Sequence, residues 1–155
     1  MPWLIKTEPD CYSIDDFARE KRTRWTGVRN FQARNFMRDG MKVGDPILFY
    51  HSSCEPPGVA GLARVSAAAD WDCTALDPKD QHFDAKATKE NPIWMAVEVA
   101  FVRKFAGLVD LATLRSTKGL EKMALLQRGQ RLSVLPVTEA EYAAVLALAE
   151  GKPRR

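Results

Sequence analysis

A chain of 155 residues with 46% hydrophobic content can bury one core but not two ordinary ones, so a single domain over residues 1–150 is expected. The net charge is only +3, yet between Arg19 and Lys42 eight Lys or Arg stand against Glu20 and Asp39 alone, a concentration that suits a polyanionic partner or a plain solvated face. Cys11, Cys54 and Cys73 are odd in number and lack metal-ligand spacing, and no uncharged run nears the roughly 18 residues of a membrane span, which together point to a cytoplasmic protein with reduced thiols.

In chain order, Trp3 to Lys6 reads as a first strand, ended by the turn Glu8-Pro9-Asp10. Ser13 with Asp16 three residues on is a helix start, predicting a helix to about Glu20. The stretch Trp25-Thr26-Gly27-Val28-Arg29-Asn30-Phe31-Gln32-Ala33-Arg34-Asn35-Phe36-Met37-Arg38 interleaves aromatic rings with arginines and side-chain amides, the groups that grip a nucleobase and its phosphates. Asn30 is placed to cap a helix running through Arg38, which Gly40 stops.

A turn at Val43-Gly44-Asp45-Pro46 feeds a strand over 47–51, where period two sends Ile47, Phe49 and His51 one way and Leu48 and Tyr50 the other. Val59 to Val65 is the next strand, and its small residues Ala60, Gly61 and Ala63 suit a bend or a close backbone approach. The acid-rich, turn-rich segment from Asp70 to Glu90 reads as an exposed excursion. Trp94 to Phe105 is the longest expected strand, with Met95, Val97, Val99 and Phe101 on one face and Glu98 turned toward water or a barrel rim.

Short helices are expected at 108–114 and 121–126, then a strand over Arg131 to Pro136. Thr138 and Glu141 form a capping box, and Tyr142, Val145, Leu146 and Ala149 lie on one face of a C-terminal amphipathic helix able to close an open barrel end. Residues 151–155 are expected to be a frayed basic tail. Short strands, small residues at bends and this last helix together predict an α+β fold, a mixed, partly open barrel with helices set around it.

Five of these stretches carry a resemblance: Trp3-Leu4-Ile5-Lys6-Thr7-Glu8-Pro9, Trp25 through Asn35, Val43-Gly44-Asp45 with Leu48 through Ser52, Pro57 through Gly61, and Arg131 through Val137. In this order, and nearly end to end, the chain resembles the EVE domain family. Three departures are mild: Thr7 stands where serine is usual, Phe31 where tyrosine is common, and Tyr142 where tryptophan is frequent. The resemblance implies a PUA-like pseudo-β-barrel surrounded by short helices, related to readers of modified RNA and of methylated adenine. It further implies a reader of modified bases in DNA, particularly 5-methylcytosine and its oxidised forms, with the base flipped out into a pocket.

Within that expectation Trp25 and Tyr50 would wall the pocket, or either would be plain core. Lys6, Thr7 and Glu8 leave the first strand together and are placed to meet a base edge, with a structural salt bridge to Arg29 as the equal alternative for Glu8. Asn30 suits a base edge and equally a helix cap; Val28, His51, Ser52, Arg131 and Ser133 complete the expected pocket. Lys21, Arg22, Arg29, Arg34 and Arg38 are the expected phosphate contacts.

An enzyme is the rival class. The sequence has no GxSxG, no GK[ST] loop and no HExxH, and its two histidines lie 31 apart, so an acid–base cluster of Lys6, Glu8 and His51 is the remaining route to catalysis. No cofactor and no metal is expected, and nucleic acid is the expected partner. A reader of modified tRNA or rRNA and a small-metabolite pocket stand as alternatives.

Overall fold

The computed structural model describes residues 1–151, and of the basic tail expected at 151–155 all but Gly151 lies outside them. The apolar run near the start forms strand β1 (Trp3–Thr7), and it is followed by β2 (Arg22–Arg24), β3 (Pro46–His51), β4 (Gly58–Trp71), β5 (Met95–Asp110) and β6 (Val134–Pro136). These make one open mixed sheet in the order β2-β5-β4-β3-β1-β6. Only β1 with β3 is parallel, which requires a long crossover; helices α1 (Ile14–Glu20) and α2 (Phe31–Asn35) fill it.

Period two in β3 decides where the two main cores sit. Ile47 and Phe49 join Trp3, Ile5, Phe17, Trp25 and Val99 on one face of the sheet. Leu48 and Tyr50 join Leu4, Val59, Phe105 and Val109 on the other, under α3 (Leu111–Arg115) and α4 (Glu139–Ala149). The expected burial of β3 on both faces is what the structure has.

Caps follow the sequence closely. Ser13 Oγ accepts from the Asp16 N–H and Asp16 returns the bond to Ser13, each at 3.0 Å, and Thr138 and Glu141 repeat the device at α4. Asn30 Oδ1 accepts from the Ala33 N–H at 3.0 Å, but the helix widens into a π-type turn at Phe36–Gly40 instead of continuing regularly through Arg38.

β4 and β5 both run further than their local patterns predict, because β-bulges interrupt the alternation. At one of them the register steps from Leu62↔Arg103 to Ala63↔Phe101, and β5 turns over. Phe101 therefore packs against the first core and Phe105 enters the second, although both have the same parity. A Cβ on Gly61 would stand 2.4 Å from the Arg103 carbonyl oxygen, which is the close backbone approach its sequence context predicts. The helix expected at 108–114 begins only at Leu111, capped by Asp110. That expected at 121–126 is one 3-10 turn at Ala124–Leu126, and the strand expected from Arg131 begins at Val134.

The segment from Asp70 to Glu90 is largely exposed, as expected, but it also carries a small core of its own. Asp72 is fully buried, and Ala75, Ala87 and Trp94 form a small third core. Its acidity serves local turns: Asp72, Asp77, Asp80 and Asp84 each accept from the N–H two residues on, at 2.8–2.9 Å. Among the described residues no helix is long and apolar enough to cross a membrane.

Candidate functional site

Beyond the end of β1 the chain leaves a hollow of about 390 Å³, within the range of about 300–1,000 Å³ usual for small-ligand sites. Lys6 and Thr7 reach it from β1, Tyr12 from the turn before α1, Trp25 to Arg29 from the loop after β2, and Ser133 from the approach to β6. Gln81 and His82 complete the rim.

Trp25 is held from behind. Its backbone N–H donates to Val97 at 2.8 Å, and its ring meets Phe49 edge-on with centroids 5.8 Å apart. Tyr12 stands edge-on to the same indole at 6.1 Å. The Tyr12 hydroxyl donates to Glu20 at 2.7 Å; burial first, then that bond, push its phenol well above the usual range, so it stays neutral. By contrast, the indole N–H of Trp25 has no acceptor among the described residues, and it is not sealed from solvent. Lys6 is half-buried with no carboxylate partner there, and desolvation lowers its pKa.

The far wall is fixed by Arg29. Its Nε donates to the His82 carbonyl, its Nη1 to Val28 O and Asp72 Oδ2, and its Nη2 to Thr74 Oγ1 and again His82 O, all at 2.7–3.0 Å. Five donors are thereby used. Asp72 also accepts from the Gly27 N–H at 2.8 Å and from the N–H and hydroxyl of Thr74. Burial pushes the Asp72 carboxyl up, but the bonds from Thr74, Gly27 and Arg29 together outweigh it and hold the pKa below the usual range. Gly27 has φ +84°, and a Cβ there would lie 2.7 Å from the His82 ring. The Trp-Thr-Gly-Val-Arg run thus both lines the hollow and ties it to the 72–82 segment.

Of the residues expected in the pocket, Lys6, Thr7, Trp25, Val28 and Ser133 come together here. Tyr50 does not: it follows Phe49 by one and so faces the opposite side of the sheet, where with Ser52 and Lys6 it lines a second hollow of about 620 Å³. His51 lines neither hollow. It is buried, its Nε2 accepts from the Ile14 N–H at 3.2 Å, and Nδ1–H therefore donates to the Thr7 carbonyl at 3.4 Å. Glu8 is exposed outside the hollow and approached by Cys11 Sγ; the expected Glu8–Arg29 bridge is replaced by Asp72–Arg29. Asn30 serves as the α2 cap, and Arg131 is exposed and lines neither hollow.

The acid–base cluster of Lys6, Glu8 and His51 is consequently not assembled, since both His51 nitrogens are engaged and Glu8 lies elsewhere. Three of the five expected phosphate contacts are also engaged within the chain. Arg29 is saturated; Arg34 donates to Ile93 O and Asn35 Oδ1 and lies over Phe31; Arg38 is chelated by Asp39. Lys21 and Arg22 remain exposed without an ion pair among the described residues. Sequence reasoning passed over Tyr12, whose neighbours carry no signal, and the Phe31–Trp94 stack at 4.8 Å, which depends on a contact across 63 residues of chain. No cluster of His, Cys, Asp or Glu able to hold a metal occurs among the described residues.

The EVE domain family model matches residues 2–148. Human thymocyte nuclear protein 1 is 40% identical over 169 residues, covering 97% of this chain and 75% of that protein. A solved structure from Pseudomonas syringae is 49% identical with a TM-score of 0.92, covering 96% of this chain and 99% of the other. The crystal structure of the human THYN1 protein in complex with DNA containing 5-methylcytosine has a TM-score of 0.92 at 38% identity, covering 98% of this chain and 99% of that one.

Proposed function

The chain belongs to the EVE domain family, and from that premise we propose that it is a DNA-binding reader of a modified base, 5-methylcytosine or an oxidised form, which it holds flipped out without catalysis. The observation that carries this reading is the hollow between Lys6, Tyr12 and Trp25, with its unpaired donors, in a fold that a human relative uses in a complex with methylated DNA. A cytosine presents O2 and N3 as acceptors and its N4 amino group as a donor. The Lys6 ammonium and the Trp25 indole N–H suit the acceptors, and the hydroxyls of Thr7 and Ser133 suit the amino group.

Everting a base costs a few kcal/mol, and stacking against an aromatic ring returns about 1–3 kcal/mol. One methyl buried beside Val28 adds about 0.8 kcal/mol, roughly a fourfold preference. Discrimination of the methyl alone is therefore modest, and affinity depends on the shared base and phosphate contacts. Lys21 and Arg22 are free to supply part of the latter.

Fluorescence anisotropy with duplexes that differ in one cytosine, unmodified, methylated or hydroxymethylated, tests the reading. Severalfold tighter binding of a modified duplex supports it. Equal affinity for all duplexes, tighter binding of a matched RNA, or base release during incubation counts against it.

A further inference from the structure

The second hollow shares Lys6 with the first, and the Ser52 N–H on its wall donates to the carbonyl of Thr7, a wall residue of the first, at 3.0 Å. The two meet at Lys6, near the end of β1. Lys6, Arg115 and Arg128 are among the second hollow's lining residues, and no Asp or Glu is. Neither arginine makes an ion pair among the described residues, in contrast to Arg29 and Arg38. Ser52 and Ser53 add hydroxyls at the same wall, and the Tyr50 hydroxyl has no partner there yet is not sealed from solvent.

Burial, the largest influence, raises the Tyr50 phenol pKa, and Arg115 is near enough to draw it partly back. Tyr50 and Arg115 line the same hollow. A nucleotide carries its phosphate one sugar away from its base, so a base hollow needs an anion seat next to it and not across the molecule. An arginine pair with neighbouring hydroxyls fits a phosphodiester, which accepts bidentate N–H donation and further O–H bonds.

Resting on the reading of the first hollow as a base site, we propose that the second hollow seats the DNA phosphate adjoining the everted base, held by Lys6, Arg115 and Arg128. The main phosphate grip then lies on α3 and the 124–130 turn, and not on the basic segment 19–42 that the charge distribution highlights.

The test is a salt titration, from 50 to 200 mM, of binding to a duplex with one 5-methylcytosine. For Arg115→Ala/Arg128→Ala, the slope of log affinity against log salt should shrink by about 0.9, the share of the one phosphate that the pair holds, with the preference for methylated over unmodified duplex unchanged. Arg115→Lys/Arg128→Lys should keep most of the slope. Both side chains are exposed, so the thermal midpoint should stay near that of the wild type. An unchanged slope in the alanine pair overturns the proposal while leaving the base hollow intact, and returns the phosphate contacts to Lys21 and Arg22. A wild-type protein without salt-dependent DNA binding overturns both.

Discussion

Removing the Asp72 carboxylate probes what holds the far wall of the base hollow. Asp72 is fully buried and receives Gly27, Arg29 and both donors of Thr74. Breaking one side of a buried ion pair typically costs about 3–5 kcal/mol; the Arg29 side chain keeps 21% exposure, so the lower end, about 3 kcal/mol, is expected for Asp72→Ala. For a domain of this size that lowers the thermal midpoint by about 6–12 °C. Asp72→Asn conserves volume but turns an amide toward the Gly27 and Arg29 donors, and should cost nearly as much. The pH dependence has a definite sign. The folded pKa is depressed below the ordinary carboxylate value of about 3.8, so the contribution is complete above about pH 4 and is lost as pH falls through the folded value. Asp72→Asn should flatten that acid limb. Calorimetry and urea unfolding read the stability, and duplex titration should show weaker binding as the Gly27–Val28 wall loosens. An Asp72→Asn protein melting within about 2 °C of wild type would refute the reasoning.

Trp25→Phe keeps a ring but removes the indole N–H, and should lose about 1 kcal/mol of base affinity, roughly fivefold, with an unchanged salt slope; the same duplex titration checks it. Gly27→Ala places a Cβ at φ +84° against His82 and should cost about 1–2 kcal/mol, measured by urea unfolding. Burial chiefly lowers the His51 pKa from 6.5, with the Thr7 bond opposing, so its contribution is complete above about pH 6.5 and falls away below it. His51→Gln should remove that part of the decline in thermal midpoint between pH 7 and pH 5. Thr138→Ala should lower stability by about 1 kcal/mol through the lost cap and leave duplex binding untouched.

Local chemistry was the legible part. The caps at Ser13, Asn30 and Thr138, the two-faced strand at 47–51 and the need for a small residue at position 61 all follow from interactions within a few residues or from sheet periodicity. The extensions of β4 and β5 were not legible, because bulges set by their pairing shift the alternation that a sequence pattern reports. Periodicity put Tyr50 opposite Phe49, but nothing near Trp25 says on which side of the sheet its loop lands, so the pairing of the two as pocket walls had no local basis. His51 met the same limit, since its partner Ile14 is 37 residues away. The basic segment offers less free charge than its composition suggests, because formal charge counts Arg29 and Arg38 as free while Asp72 and Asp39 pair with them.

Pairing of the first strand with the last has a bearing on biogenesis. Trp3 aligns with Pro136 and Ile5 with Val134, while the Lys6 backbone N–H donates to the Ser133 carbonyl at 2.9 Å beside the hollow. During translation, β1 has no edge partner on that side until residues 134–136 have left the ribosome. Such non-local pairing slows folding more than it weakens the finished domain. Nascent fragments that lack residues 133–136 therefore have an unpaired β1 edge and an incomplete first hollow, and are open to proteolysis.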